Sequence, residues 1–304
     1  MAVGIHRGAV GPGGSGNTRT PELPNTRTPV SCEVMGIPPD LDPAKIRAAL
    51  QSRLIGRPLE VVEEIGSTND AVLAAGRSGA PEGLAVLADR QTAGRGRRGR
   101  AWASPPGVGL YTSVLLRPEQ PPALVPLLTL VAGLAVAEAI REVAGLDPLL
   151  KWPNDLLLDG RKVAGILTEM ASVDARVVYL AVGIGINVNH GARDLPEDLL
   201  PVATSLHLAS GRTIPRCDLA AALYNSMDRW YQVFREGQTE TILAHGRQQS
   251  AILGQSVDVL AGEERWRGLA MDLDADGALL VREKDGGVRR VLAGDVSIQQ
   301  VVTR

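Results

Sequence analysis

Gly94-Arg95-Gly96-Arg97-Arg98-Gly99-Arg100 alternates four arginines with three glycines in a chain whose formal net charge is only −2. Guanidinium forks match phosphate and carboxylate oxygens in pairs and stay charged at any working pH. Glycine lets backbone N–H groups approach an anion and takes positive φ without steric cost. The stretch therefore reads as a flexible loop that closes over a polyanion. The alternatives for such a run alone are a solvated basic turn or an Arg/Gly nucleic-acid tether. It is not a Walker A loop, because no Gly-Lys-Ser/Thr ends it and no helical pattern follows. Working outward, the apolar run 83–88 is a strand that enters the loop through Gln91. Residues 101–107 continue the loop and bring Trp102, an aromatic able to cover an apolar ligand. Residues 109–116 form the next strand.

The chain has 304 residues, enough for two modest domains, with ordinary globular composition: 44% hydrophobic and 22% charged. A pI near 6.1 argues against a general nucleic-acid binder. Cys32 and Cys217 fall in no metal or redox spacing, so reduced thiols, no metal site and a cytoplasmic location are expected. The longest apolar run, 123–137, is interrupted by Pro126 and is short for a membrane helix. Residues 1–30 lack the apolar segment of an export signal. No membrane partner is expected.

Three domains are read along the chain. Residues 1–40 are rich in Gly, Pro and Thr, repeat Asn-Thr-Arg-Thr-Pro at 17–21 and 25–29, and read as a disordered tail. Residues 41–253 alternate helices and strands: a helix from Asp42-Pro43 to Leu50, a strand at 59–65, a helix at 71–76 and a largely apolar helix at 124–143. Strands at 149–153, 162–170 and 176–188 follow, then a helix at 215–234. From 254 to 304, strands at 256–260, 264–271, 278–282 and 288–292, joined by Gly/Asp turns, read as a small all-β unit.

Several clusters carry chemistry. Ser67-Thr68-Asn69 lies between a strand and a helix, where it caps the helix, offers hydroxyls and an amide to a polar ligand, or does both. Lys151-Trp152-Pro153-Asn154-Asp155 puts a cation, an amide and a carboxylate at a strand end; a tight Pro-Asn-Asp turn is the other reading. Lys162 starts a strand as a point charge, and Gly165 in mid-strand marks close approach of a ligand or of another backbone. Gly183, Gly185 and Asn187 share one face by period-2 alternation, giving a floor without side chains that suits a ring or a packed helix. Asp272-x-Asp274-x-Asp276-Gly277 with Glu283 fits a calcium-loop pattern, but its flanks read as strands, so calcium binding is rejected. His190 and His207 read as surface or packing residues.

Taken together and in this order, Ser67-Thr68-Asn69, Gln91-x-x-Gly94 through Arg100 with Trp102, Lys151 through Asp155, Lys162-x-x-Gly165-Ile-Leu and Gly183-Ile-Gly-Ile-Asn187 resemble the biotin–protein ligases. The resemblance runs from about residue 55 to the C-terminus. It implies an α/β (α+β) fold: a mixed-sheet catalytic domain like those of class II synthetases and lipoate ligases, followed by an SH3-like barrel. It implies ATP-dependent activation of biotin as biotinyl-5′-AMP, with Mg2+ accompanying the triphosphate. Transfer then goes to a lysine of the biotin carboxyl carrier domain of an enzyme such as acetyl-CoA carboxylase.

By the same resemblance Ser67, Thr68, Asn69, Gln91, Arg95, Gly96, Arg97, Lys162, Gly165, Leu167, Gly183 and Gly185 bind biotin. Arg97, Arg98, Arg100, Trp102, Lys151, Asn154 and Asn187 serve ATP and the adenylate. Lys162 is the electrostatic catalyst, Arg97 retains the intermediate, and Asp155 orients the acceptor amine. Some family members carry an N-terminal DNA-binding domain. The tail here leaves no room for one, so ligase activity without repression and no DNA partner are expected, as a monomer or ligand-dependent homodimer. The rival readings are a lipoate–protein ligase and an Arg/Gly-loop nucleic-acid-binding protein.

Overall fold

Alternation in the strands determines how this chain layers. Val182, Ile184 and Ile186 interleave with Ala181, Gly183 and Gly185, so one face of that strand is branched and apolar and the other nearly bare. The computed structural model describes residues 38–173 and 176–298. All of these lie in one unit, Val34–Arg304. Most of the proposed tail, Cys32 and residues 299–304 fall outside the described residues.

In chain order the elements are α1 (Pro43–Ala49), β1 (Leu59–Ile65), α2 (Thr68–Arg77), β2 (Ala85–Gln91), β3 (Gly109–Leu116), α3 (Leu127–Ala144), β4 (Leu149–Lys151) and β5 (Asp155–Leu158). After them come β6 (Arg161–Val173), β7 (Arg176–Asn187), α4 (Leu206–Ser210), α5 (Arg216–Arg235) and α6 (Thr239–Gln248). The C-terminal strands are β8 (Ser256–Ala261), β9 (Glu264–Leu273), β10 (Leu279–Arg282), β11 (Val288–Val291) and β12 (Asp295–Ile298). A seven-stranded mixed sheet has the order β1-β2-β3-β7-β6-β5-β4, parallel only between β1 and β2. A second, antiparallel sheet runs β11-β10-β9-β8-β12.

The expected strands and long helices are present. Short β5, α4, α6 and β12 were not foreseen, since each is too brief or too weakly periodic to stand out. At α1 the capping signal works as read: Asp42 accepts the Ala44 N–H at 2.8 Å and Pro43 opens the helix. At α2 it does not. Ser67 occupies the N-cap position, but its side chain makes no cap hydrogen bond.

α3 and the turn before it are long and apolar enough to span a membrane by composition alone. Here the helix is a core element, with Leu128, Val131, Leu134, Ala135 and Ile140 fully buried among residues of the sheet and α5. The opposite face of the sheet carries a smaller core of Val72, Leu84, Val86, Leu115, Tyr179 and Ala181 beneath α2. α2 covers only part of that face.

The Asp274–Gly277 turn joins β9 to β10 rather than two helices. Gly277 sits at φ +83°, and Asp274 and Asp276 both pair with Arg290. Arginine thus takes the carboxylates that the calcium pattern would require.

Candidate active site

The uncovered part of the sheet forms the floor of a cavity of about 760 Å³. Gly183 and Gly185 on β7 and Gly165 and Leu167 on β6 line it, with Gly165 opposite Gly185 and Leu167 opposite Gly183. A Cβ on Gly185 would lie 2.5 Å from Trp102 Cε2, and one on Gly183 would lie 2.3 Å from Asn69 Oδ1. The glycines therefore admit an indole and an amide against the strand that any side chain would displace. Trp102 itself rests over Gly165 and Gly185 in this state.

One end of the cavity is neutral and polar. The strand-to-helix junction buries Ser67, Thr68 and Asn69, each only 4% exposed. Gln91 Oε1 accepts from the Thr68 N–H at 2.9 Å and from its hydroxyl at 3.1 Å, while Gln91 Nε2 donates to Ser104 at 3.0 Å. Ser113 donates to Asn69 Oδ1 at 2.6 Å. Asn69 Nδ2 donates to the Leu167 carbonyl at 3.2 Å and to Glu169 at 2.6 Å. The amide is thus fixed in one orientation by partners on two strands, β3 and β6.

The other end is charged. Lys162 Nζ lies 2.6 Å from Asp155 and 5.2 Å from the Trp102 ring centre. Asp155 opens β5 directly opposite Gly165. β4 ends at Lys151, short of the expected 153, and Trp152-Pro153-Asn154 turn into β5; Asn154 Nδ2 donates to the Ile166 carbonyl at 2.9 Å, and its Oδ1 accepts from Arg97 at 3.0 Å. Lys151 also lines the cavity, as does Asn187, which donates to the Thr204 carbonyl at 3.0 Å.

The arginine loop is a small hairpin. Trp102 N–H donates to the Gly94 carbonyl at 2.9 Å, Gly96 N–H to the Arg100 carbonyl at 2.7 Å, and Arg95 bridges Ala101. At its stem Arg95 forks onto Asp70 at 2.5 and 2.7 Å and reaches Glu169 at 3.0 Å. These pairings raise the guanidinium pKa further above its usual value, led by the Asp70 hydrogen bond, and the same Arg95 bond lowers the Asp70 carboxyl. At its tip Arg97, Arg98 and Arg100 all face Asp295 on β12. Burial pulls Arg97 below its usual value, against the opposing pull of Asp295; at an arginine's pKa the charge survives.

Every residue expected from sequence lines this cavity except Arg98. Its backbone adopts φ 56°, and its side chain points to Asp295 and the Leu260 carbonyl. Two lining segments were not foreseen. One is His190 with Asp194–Pro196, Leu199, Val202 and Ala203; the other is Asp295–Ile298. Neither has a local chemical signature, because the cavity reaches them only through folding. His190 is a packing residue that also meets the cavity. The Tyr111 hydroxyl lies 3.1 Å from the Pro105 carbonyl and 3.3 Å from His190 Nε2, within hydrogen-bond reach of both. Burial, opposed by Asp194, lowers this imidazole from 6.5 to about 4.

The profile of the Biotin/lipoate A/B protein ligase family matches residues 61–187, and that of the Biotin protein ligase C terminal domain matches residues 252–298. The bifunctional ligase/repressor BirA of Bacillus subtilis is 34% identical over 261 residues, covering 86% of this chain and 80% of that protein. The chain belongs to the biotin protein ligase family. Among its relatives the biotin–[acetyl-CoA-carboxylase] ligase of Mycobacterium tuberculosis is 37% identical over 270 residues, covering 84% of this chain and 96% of that protein. The biotin protein ligase of Aquifex aeolicus in complex with biotin and ATP matches with a TM-score of 0.70 and 33% identity, covering 80% of this chain and 98% of that one. Mixed α/β catalytic architecture and a small C-terminal β domain are thus common to this biotin ligase and its relatives.

Proposed function

We propose that this ligase activates biotin with ATP as biotinyl-5′-AMP and passes the acyl group to a lysine of a biotin carboxyl carrier domain. One observation carries the reading. A glycine-floored slot, neutral and hydrogen-bonding at one end, meets Lys162, Lys151 and Arg97 at the other. In the first step a biotin carboxylate oxygen bonds to the α-phosphorus of ATP, and pyrophosphate leaves. Two anions must approach, so cations preorganised outside bulk water stabilise the developing charge.

Ser67, Thr68, Asn69 and Gln91 receive the ureido ring. Gly165, Leu167, Gly183 and Gly185 line the slot for the bicycle and its chain. Lys162 meets the carboxylate and α-phosphate, and the Asp155 ion pair holds its ammonium there. Arg97, Arg100, Trp102, Lys151, Asn154 and Asn187 serve the nucleotide, with Arg97 retaining the adenylate. In the second step the acceptor amine nitrogen bonds to the acyl carbon, AMP leaves, and the amine gives up a proton. Asp155 orients that amine.

Among the described residues no three His, Cys, Asp or Glu side chains gather to hold a metal. In this reading Mg2+ enters as part of the nucleotide substrate. The catalytic domain is assigned to residues 41–253 and the SH3-like domain to 254–304. The enzyme is placed in the cytoplasm, with ligation as its task rather than repression or nucleic-acid binding.

The test is biotin-dependent exchange of labelled pyrophosphate into ATP by the full chain. Exchange that requires biotin and collapses in Lys162→Ala supports the reading. Exchange with lipoate in place of biotin transfers the chain to the sister activity, and exchange with neither acid overturns it.

A further inference from the structure

The arginine hairpin has only two strands and a few hydrogen bonds of its own, and such a ribbon is marginal in water without outside support. Its three glycines add backbone freedom. Side-chain anchors therefore decide whether it stays closed. The tip is held by Asp295, but the stem is held by a different device. Arg95 forks onto Asp70, one residue into α2 from Asn69, and also reaches Glu169 on β6. Glu169 Oε2 simultaneously accepts from Asn69 Nδ2 at 2.6 Å.

Asn69, Glu169, Arg95 and Asp70 thus close a ring through side chains and one peptide link. Two carboxylates outweigh the single charge of Arg95 in this ring, and its fork is already engaged. Isolated exposed ion pairs contribute little, but a bidentate arginine inside a network has the geometry that does.

We propose that Glu169, with Asp70, is a positioning residue that locks the hairpin stem to the polar end of the slot, so that the hairpin and Asn69 close as one unit. Glu169 is outside the cavity lining and acts through Arg95 and Asn69, not on a ligand. Arg95 then serves as the hinge clasp and not as a free cation for the biotin carboxylate. This assignment rests on the ligase reading only for its kinetic consequence.

Two measurements on the full chain test it. Hydrogen exchange of the peptide spanning 94–103, without any ligand, reads the Gly96 and Trp102 amides. It should accelerate about tenfold in the Asp70→Asn/Glu169→Ala double variant and by less in Glu169→Ala. Glu169→Gln keeps an oxygen for Asn69 or Arg95 and should stay within about threefold of the parent. In pyrophosphate exchange, Glu169→Ala should raise KM for biotin about tenfold with kcat within twofold, and Glu169→Gln should recover most of that loss. Hairpin exchange unchanged in the double variant overturns the clasp. So does a fall in melting temperature with KM unchanged. If the parent shows no biotin-dependent exchange, the ligase reading fails, while the hydrogen-exchange comparison still decides the clasp.

Discussion

The two faces of the seven-stranded sheet are made from the same strands and end in opposite conditions. On the helical face Val182, Ile184 and Ile186 of β7 join Ala164 and Ile166 of β6 beneath α3 and α5, packed in the main core. On the other face the intervening Gly183, Gly185 and Gly165 leave space, and α2 begins only at Thr68 and Asn69. Period-2 geometry lets one strand serve both, because side chains on the two faces are chosen independently. The main core lies on the first face, and the proposed chemistry lies on the second. Changes on each should separate cleanly.

The largest separation is expected from Lys162→Ala. Removing a positioned charge from a transition state typically costs 10² to 10³ in rate, so pyrophosphate exchange should fall by about that factor. The melting temperature should stay within about 2 °C, since a partly exposed ion pair contributes little. A large thermal loss would show that the two faces are coupled. Leu134→Ala on α3 is the mirror experiment. Leu134 is fully buried, and its truncation should destabilise by about 2–5 kcal/mol in urea unfolding. KM for biotin at 15 °C should remain within twofold.

His190 belongs to the cavity side but is packed like a core residue, so it probes the border between the two. The unfolded imidazole protonates near 6.5 and the folded one near 4. Between those values the unfolded state binds more protons, so stability present at pH 7 is lost as the pH falls. From pH 7 to 5 the loss should be about 2 kcal/mol, and His190→Asn should remove that slope. An unchanged slope in the variant would assign the pH dependence elsewhere. The smallest effect is expected at Asp295, which faces three arginines that are one-quarter to two-thirds exposed. Asp295→Asn should raise KM for ATP about two- to threefold, as suits partly exposed pairs. A hundredfold change would make the C-terminal sheet part of the chemical step.

Much of this architecture was written locally. Alternation marks β7, Pro and Asp start α1, and the glycine pairs predict a bare floor. Lys151 through Asp155 and the arginine loop mark the charged end, because such residue types at a strand end or in a glycine-rich turn have few structural uses. Ser67-Thr68-Asn69 could be read as a cap, a ligand site or both, and only the folded structure, with no cap bond at Ser67, removes the capping reading.

What the sequence determined by itself was the set of functional groups and the face each strand would give them, since both follow from residue type and a two-residue period. What only the tertiary structure decided was their partners. It brought Asp295 from β12 to Arg97, Arg98 and Arg100, kept Arg98 out of the cavity lining, seated Trp102 over Gly185, set His190 against Tyr111, and joined Glu169 to both Asn69 and Arg95. These contacts link residues separated by 74 to 198 positions, and no local periodicity encodes which distant side chain closes a hydrogen-bond ring.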